Sequence, residues 1–361
     1  MTKSKQTMTQ TIHNIFTFDS RNLQEIIIPN TIDLVVTSPP YPMIRMWDEL
    51  FFSMNSIIKD MILEKPQEAF ELMNQELDKV WTALYSSIKD GGFLIINIGD
   101  ATRTIKGDFQ LYSNHSRIIY KCVELGFKNL PNILWRKQTN APNKFMGSGM
   151  FPSGAYVTLE HEYILIFRKG TKQVYNETKK QNRRESSYFW EERNIWFSDI
   201  WEDVKGTKQL LTNQEARDRS AAYPFELVYR LINMYSCKGD TILDPFFGTG
   251  TTTLAAIASE RNSIGIELEQ SFKKSFLKNI SFTNIQKLNE YICNRLYKHN
   301  DFVKCRIESG KEVKYYNQKL KTPVITRQEI DIIFNLLDSI KIIKEKIIIN
   351  YMDHIGLLPY N

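Results

Sequence analysis

Two short stretches hold residue types whose spacing could do chemistry. The first, "TSPPY" (residues 37–41), closes an apolar, β-branched run with two consecutive prolines and a tyrosine. A parallel strand buried on both faces has this composition, and ladder pairing stops where prolines begin. Pro39 and Pro40 lack N–H donors and have a fixed φ, so the Pro39 carbonyl and the flanking Ser38 and Tyr41 side chains are held nearly rigid. Such a frame suits a site that grips a small planar group, although an ordinary strand-ending Pro-Pro turn has the same composition. The second stretch, "TILDPFFGTGTTTLAAI" (241–257), ends a strand at Asp244, turns through a loop holding Gly248 and Gly250, and opens a helix. Glycines there let the backbone approach a ligand, and the helix N-terminus offers free N–H groups with a partial positive charge. It is not a phosphate P-loop, because the lysine is missing, nor a full dinucleotide fingerprint, because Thr253 replaces the third glycine. Glu267 ends the next strand 19 residues past Gly248, close to the usual spacing for an acid that binds ribose hydroxyls. An adenosine-containing ligand follows from these features together.

An α/β sheet must position these residues. Seven apolar runs fit strands: residues 14–19, 32–38, 92–99, 132–137, 162–169, 241–244 and 263–268, with helical patterns at 67–89, 114–125, 224–235 and 251–260 between several of them. Residues 42–66 and 138–160 read as long loops, and residues 170–220 break the rhythm with a polar, aromatic-studded insert. Beyond about residue 280 the chain is rich in Lys and Ile and reads as helical. The 361 residues suffice for one large domain with insertions, or two. A net charge of +6 is mild, compatible with a polyanionic partner or with none. Cys122, Cys237, Cys293 and Cys305 are scattered without a CxxC pair, and the five histidines show no metal spacing, so neither a disulfide framework nor a metal centre is expected. A polar N-terminus and the lack of any run near about 18 apolar residues argue for a soluble, cytoplasmic protein without a membrane partner.

Taken together, "TSPPY", "GGFLIINIGD", "FKNLPNILWRK", "AAYPFELVYRLINMYSCKGD" and "DPFFGTGTT" resemble the amino-group DNA methyltransferases that use S-adenosylmethionine, over most of residues 14–280. The catalytic loop precedes the cofactor loop with an insert between them, the order of the β group of that family. The resemblance implies a Rossmann-like, seven-stranded mixed sheet whose last strand, 162–169, is antiparallel. It implies a catalytic part (1–169), a target recognition insert (170–220), a cofactor-binding part (221–280) and a helical extension (281–361) that could extend recognition, dimerise or cover the sheet. Residue by residue, it gives Glu267 the ribose hydroxyls, Asp19 the adenine amino group, and Asp244 with the backbone of Phe246, Phe247, Gly248 and Gly250 the methionine end. Phe225 would pack near the cofactor. The family often has a His-Pro pair just upstream, where this chain has Ala222 and Tyr223.

An exocyclic amine is a poor nucleophile because its lone pair is delocalised into the base. If the Ser38 hydroxyl and the Pro39 carbonyl accept its two hydrogens, the nitrogen can aim its lone pair at a sulfonium methyl, with the Pro-Pro frame fixing the acceptors beforehand. The base must flip out of duplex DNA to get there, and Tyr41 offers a face to stack on. Ring-carbon methylation needs a thiolate, usually in a Pro-Cys pair, and no cysteine here follows a proline. In the insert, Lys180, Arg183 and Arg184 beside Trp190 suit phosphate contact and base readout, or a solvated surface excursion. Ser before Pro-Pro tends in the family to mark cytosine N4, and Asp or Asn to mark adenine N6. The expectation is therefore an N4-cytosine DNA methyltransferase whose genetic rather than physical partner is a cognate restriction endonuclease. N6-adenine methylation, methylation of an RNA base, and a silent nucleic-acid-binding protein are the alternatives.

Overall fold

All seven runs form strands, and all enter one sheet. The computed structural model describes residues 10–137, 146–205, 223–280 and 282–352. In chain order the sheet comprises β1 (Gln10–Thr17), β2 (Ile32–Thr37), β3 (Ile88–Ile98), β4 (Phe127–Asn129), β5 (Ile133–Arg136), β6 (His161–Lys169), β7 (Ile200–Trp201), β8 (Thr241–Asp244), β9 (Asn262–Glu267), β10 (Leu336–Ile343) and β11 (Lys346–Met352). Their lateral order is β7-β5-β6-β3-β2-β8-β9-β1-β11-β10, with β4 also paired to β6. The block β3-β2-β8-β9-β1 is parallel throughout. Strand β6 runs antiparallel to both of its long neighbours, β3 and β5, as expected of the last of the seven. The Rossmann-like mixed sheet is thus present, enlarged from seven strands to eleven.

Helices cover both faces because the central strands are apolar on both. Along β2, Leu34 and Val36 enter one core layer while Val35 enters the other. On the second face lie α1 (Pro66–Ser87), opened by a proline at its first turn, and α2 (Asn114–Glu124). The spacing of Phe70, Met73, Leu77, Val80, Trp81 and Leu84 lays one stripe of α1 on the sheet. The first face carries the insert helix α4 (Trp190–Trp196), preceded in the chain by the polar α3 (Glu177–Glu185), which buries no residue, then α5 (Phe225–Tyr235), α6 (Thr251–Ala258), α7 (Gln270–Asn279) and the long α8 (Phe282–Glu308). No helix among the described residues is long and apolar enough to cross a membrane.

The extension departs from an all-helical tail. Helix α8 ends at Glu308, a short hairpin pairs Tyr315–Asn317 with Thr322–Val324, and β10 and β11 form a second hairpin that adds to the sheet beside β1. In "KIIINYM" the buried residues Ile347, Ile349 and Tyr351 alternate with more exposed ones, the period of a strand rather than of a helix. Lys344 and Glu345, both at positive φ, make the tight turn. The added hairpin covers an edge that β1 would otherwise expose.

The described part of the insert is not a free lobe. Arg295 of α8 pairs with Glu192 of α4 and reaches the Tyr229 hydroxyl at 3.1 Å, while Trp190 N donates to Glu329 at 2.9 Å. Glu191, His299 and Glu329 come close enough to hold a metal ion. The His299 nitrogens, however, already face Glu191 at 2.7 Å and the Pro323 carbonyl at 2.9 Å, with Phe189 stacked on the ring. The cluster ties insert to extension.

Candidate active site

Parallel strands β2, β8, β9 and β1 are consecutive neighbours, so the residues at their carboxyl ends share one edge of the sheet. These are Ser38, Asp244, Glu267 and Asp19. One hydrogen bond joins the two motifs directly: Thr37, the last residue of β2, donates from Oγ1 to Asp244 Oδ1 at 2.7 Å. Asp244 is 3% exposed and collects three further donors, Phe246 N at 3.1 Å, Thr252 Oγ1 at 2.5 Å and Tyr223 OH at 3.2 Å. Burial raises its carboxyl above the ordinary range, and these four hydrogen bonds oppose the rise.

The loop after Asp244 is shaped by what its glycines allow. Gly250 caps α6 at φ +80°, and a β-carbon there would overlap the rings of Phe276 and Phe247. Phe247 is buried under the loop against Gly265, so it sets the loop's height and contributes backbone rather than ring to the site. At Gly248, with φ +51°, a β-carbon would meet only the Phe246 carbonyl, at 3.8 Å. The Gly248 N–H donates at 2.8 Å to Glu267, which also accepts from Glu269 N at 3.0 Å. Burial raises the Glu267 carboxyl, partly offset by those two bonds. Each of its oxygens keeps a lone pair for a further donor.

Asp19 caps a short 3-10 helix, Ser20–Glu25, by accepting from Arg21 N at 3.0 Å, and is clasped by the Arg21 guanidinium at 2.6 Å. Burial would raise its carboxyl, but Arg21 outweighs that and holds it below the usual range. A ligand amine at Asp19 must share it with Arg21. The Phe246 ring lies edge-on to Trp81. Phe225 was expected near the cofactor; its ring is 4% exposed and packs on Tyr229 and Tyr291. From the start of that helix, the ring that reaches Asp244 is Tyr223, also 2.5 Å from Thr252 Oγ1. It stands where the chain departs from the His-Pro pattern.

On the catalytic side, Ser38 is half-buried and Pro39, Pro40 and Tyr41 are buried. Asn114 pins the loop from α2 by donating to the Pro42 carbonyl at 3.2 Å and the Gly99 carbonyl at 3.0 Å. Tyr41 was expected to present a stacking face, yet its ring is 8% exposed. Its hydroxyl lies 3.1 Å from Ser38 Oγ, donates to Glu162 Oε2 at 3.0 Å and accepts from Asn97 Nδ2 at 3.0 Å. Burial, then the Glu162 charge, push its phenol well up. Asn97, Glu162 and Lys137 escaped the sequence reading. The available signals were polar residues within apolar strand runs, "LIINIGD" and "HEYILIF".

The basic cluster falls elsewhere. Asn182 of α3 donates to the Lys238 carbonyl at 2.9 Å, and Lys238 precedes β8. This docks α3 at the amino-terminal end of the strand whose carboxyl end carries Asp244. Lys180 pairs with Glu177, Arg183 lies over Tyr175 and Arg184 is exposed. Trp190 is only 37% exposed and packs on Phe302, with Arg306 over its ring. The structure therefore separates these four residues from the catalytic loop, because the insert packs on α8 and the loop before β8. Among the described residues, basic side chains on the Ser38 side include Arg45, exposed, Arg136 at the end of β5 and Lys137 just after it. Residues 206–220 of the insert lie outside the described residues.

A DNA methylase family model matches residues 32–279. The Type II methyltransferase M.MthZI of Methanothermobacter thermautotrophicus is 50% identical over 326 residues, covering 90% of each chain. M.MjaI of Methanocaldococcus jannaschii, also a Type II methyltransferase, is 49% identical over 275 residues, 73% of this chain and 89% of that one. Among solved structures, the candidate DNA modification methylase TTHA0409 of Thermus thermophilus, complexed with S-adenosyl-L-methionine, superimposes with a TM-score of 0.57 at 30% identity, over 74% of this chain and 94% of that one.

Proposed function

This chain belongs to the amino-group DNA methylases of restriction-modification type, and from that premise we propose that it transfers a methyl group from S-adenosylmethionine to the exocyclic N4 amine of a cytosine in duplex DNA. The observation that carries the reading is the Thr37–Asp244 hydrogen bond, which couples a Ser-Pro-Pro-Tyr loop to a glycine loop at one sheet edge. The cofactor fits the residues present: the loop at Gly248 is open, α6 begins with free N–H groups, and Glu267 retains acceptor capacity. Glu267 would hold the ribose hydroxyls, Asp19 the adenine amine, and Asp244 with the backbone from Phe246 to Gly250 the methionine end. When bound, S-adenosylmethionine supplies an electrophilic methyl group.

Everything else falls to the chain. Ser38 Oγ and the Pro39 carbonyl accept the two amine hydrogens, drawing the lone pair out of conjugation, and the buried Pro-Pro frame holds them there without reorganisation. The target base reaches them only out of the duplex, so flipping precedes transfer. Ser38 rather than Asp or Asn before Pro-Pro supports cytosine over adenine, and the order of the two loops is that of the β group. Its biological effect is to protect DNA from a cognate endonuclease. Nucleoside mass spectrometry of duplex DNA treated with protein and cofactor tests this: N4-methylcytosine is expected, N6-methyladenine would reassign the base, and methylation confined to structured RNA would reassign the substrate. Cofactor binding without any transfer would identify a silent nucleic-acid binder.

A further inference from the structure

We infer that Glu162 fixes the direction of the Ser38 hydroxyl and so serves as a positioning residue for methyl transfer, an inference that rests on the amino-methyltransferase reading. Glu162 lies near the start of β6 and is 8% exposed. Three donors converge on its carboxylate: Tyr41 OH at 3.0 Å and Asn97 Nδ2 at 2.7 Å on Oε2, and Lys137 Nζ at 2.7 Å on Oε1. A carboxylate so surrounded only accepts. The single hydroxyl proton of Tyr41 is therefore committed to Glu162.

The rest follows by counting protons and lone pairs. Asn97 Nδ2 approaches the Tyr41 oxygen at 3.0 Å and Ser38 Oγ at 3.1 Å, and with its own proton committed the phenol oxygen can only accept from either. Tyr41 has no proton left for that second contact, so Ser38 is its donor. With its hydrogen turned inward, Ser38 Oγ presents lone pairs outward, which is what an amine bearing two hydrogens requires. A Ser38 free to rotate would spend part of its time offering a hydrogen instead. Asn97 cannot reverse the chain, because flipping its amide would set Oδ1 against the Glu162 carboxylate. Its present orientation leaves Oδ1 buried without a partner, a cost consistent with the network being held for its polarity. Close packing keeps the ring in place, since a β-carbon at Gly99 would sit 3.1 Å from it.

In the near-isosteric Glu162→Gln the one remaining carbonyl oxygen is drawn to the Lys137 ammonium, which can only donate, so the amide NH2 faces Tyr41 and frees its proton for Ser38, reversing the chain. At saturating cofactor and DNA, kcat should fall by roughly tenfold or more while both KM values and cofactor affinity stay within about twofold. Tyr41→Phe, which removes the inward acceptor, should show the same split, and the double variant should lose no more than the worse single one. Wild-type kcat in Glu162→Gln, or losses that multiply in the double variant, would overturn the inference while leaving the methyltransferase reading intact. Absence of transfer by the unaltered chain would overturn both.

Discussion

Two buried carboxylates anchor the two halves of the site, and they are built differently. Asp244, under the cofactor loop, is satisfied by four uncharged donors, two of which, Phe246 N and the Thr252 hydroxyl, come from its own motif. Glu162, under the catalytic loop, draws on Tyr41, Asn97 and Lys137, separated from it by 121, 65 and 25 residues. A hub that takes half its donors from its own motif holds that loop in one shape; a hub whose donors all come from other elements registers those elements against each other. The first should fail mainly in stability and cofactor binding, the second mainly in turnover.

The largest effect should come from Asp244→Ala. It strands Thr37 and the Phe246 N–H and leaves the Thr252 and Tyr223 hydroxyls only each other, at roughly 1 to 3 kcal/mol per orphaned group. Urea denaturation should show a loss on the order of 3 kcal/mol or more; wild-type stability would dissolve the contrast with Glu162.

Glu267→Ala should come next. Charge-assisted bonds to ribose hydroxyls contribute about 1.5 to 3 kcal/mol, so cofactor affinity should fall by roughly 10- to 100-fold with DNA affinity unchanged. Calorimetry decides it, and unchanged cofactor affinity would remove Glu267 from the ligand.

Asp244→Asn sharpens the comparison through pH. Because burial raises the folded pKa of Asp244 above its ordinary value of 3.8, its contribution to stability is complete below the unfolded pKa and lost as pH rises through the folded one. Wild type should therefore gain stability relative to the Asn variant as pH falls from neutral toward the carboxylate range. Parallel curves from paired denaturations would show that the four donors fully offset burial.

Much of this was legible because it was local. "TSPPY" and "DPFFGTGTT" each carry their backbone demands within a few residues, Glu267 follows Gly248 by 19, and the central runs that became β2, β3 and β8 are buried on both faces, so nearly every residue in them reports the strand. What was missed depended on tertiary placement. Phe225 and Tyr223 lie two residues apart and both are buried, and only the packing of α5 on α8 sends the Phe225 ring to Tyr291 and leaves the Tyr223 hydroxyl to reach Asp244. Isoleucines at 347 and 349 mixed with lysines suit a helix as well as a strand, and only pairing with β1 selects the strand alternation. Charge density alone marked Lys180, Arg183 and Arg184, whereas the docking of α3 beside Lys238 places them at the far end of the sheet.

That relocation gives the smallest expected effect. Neutralising Lys180, Arg183 and Arg184 together should leave DNA affinity and its salt dependence essentially unchanged, although three lost phosphate contacts would lower the slope of log affinity against log salt by about 0.9 each. A flattened slope would mean that DNA reaches the amino-terminal end of the sheet.

Single-turnover transfer to duplex DNA at saturating cofactor, run in parallel on Ser38→Ala and Glu267→Ala, tests most directly whether the two loops do separate jobs. Ser38→Ala should bind cofactor normally and lose at least about 100-fold in rate, the scale of removing one preorganised transition-state contact. Glu267→Ala should recover most of its rate once cofactor saturates. Wild-type rates in Ser38→Ala, or equal and unrecoverable losses in both variants, would contradict the division of the site into a loop that binds and a loop that reacts.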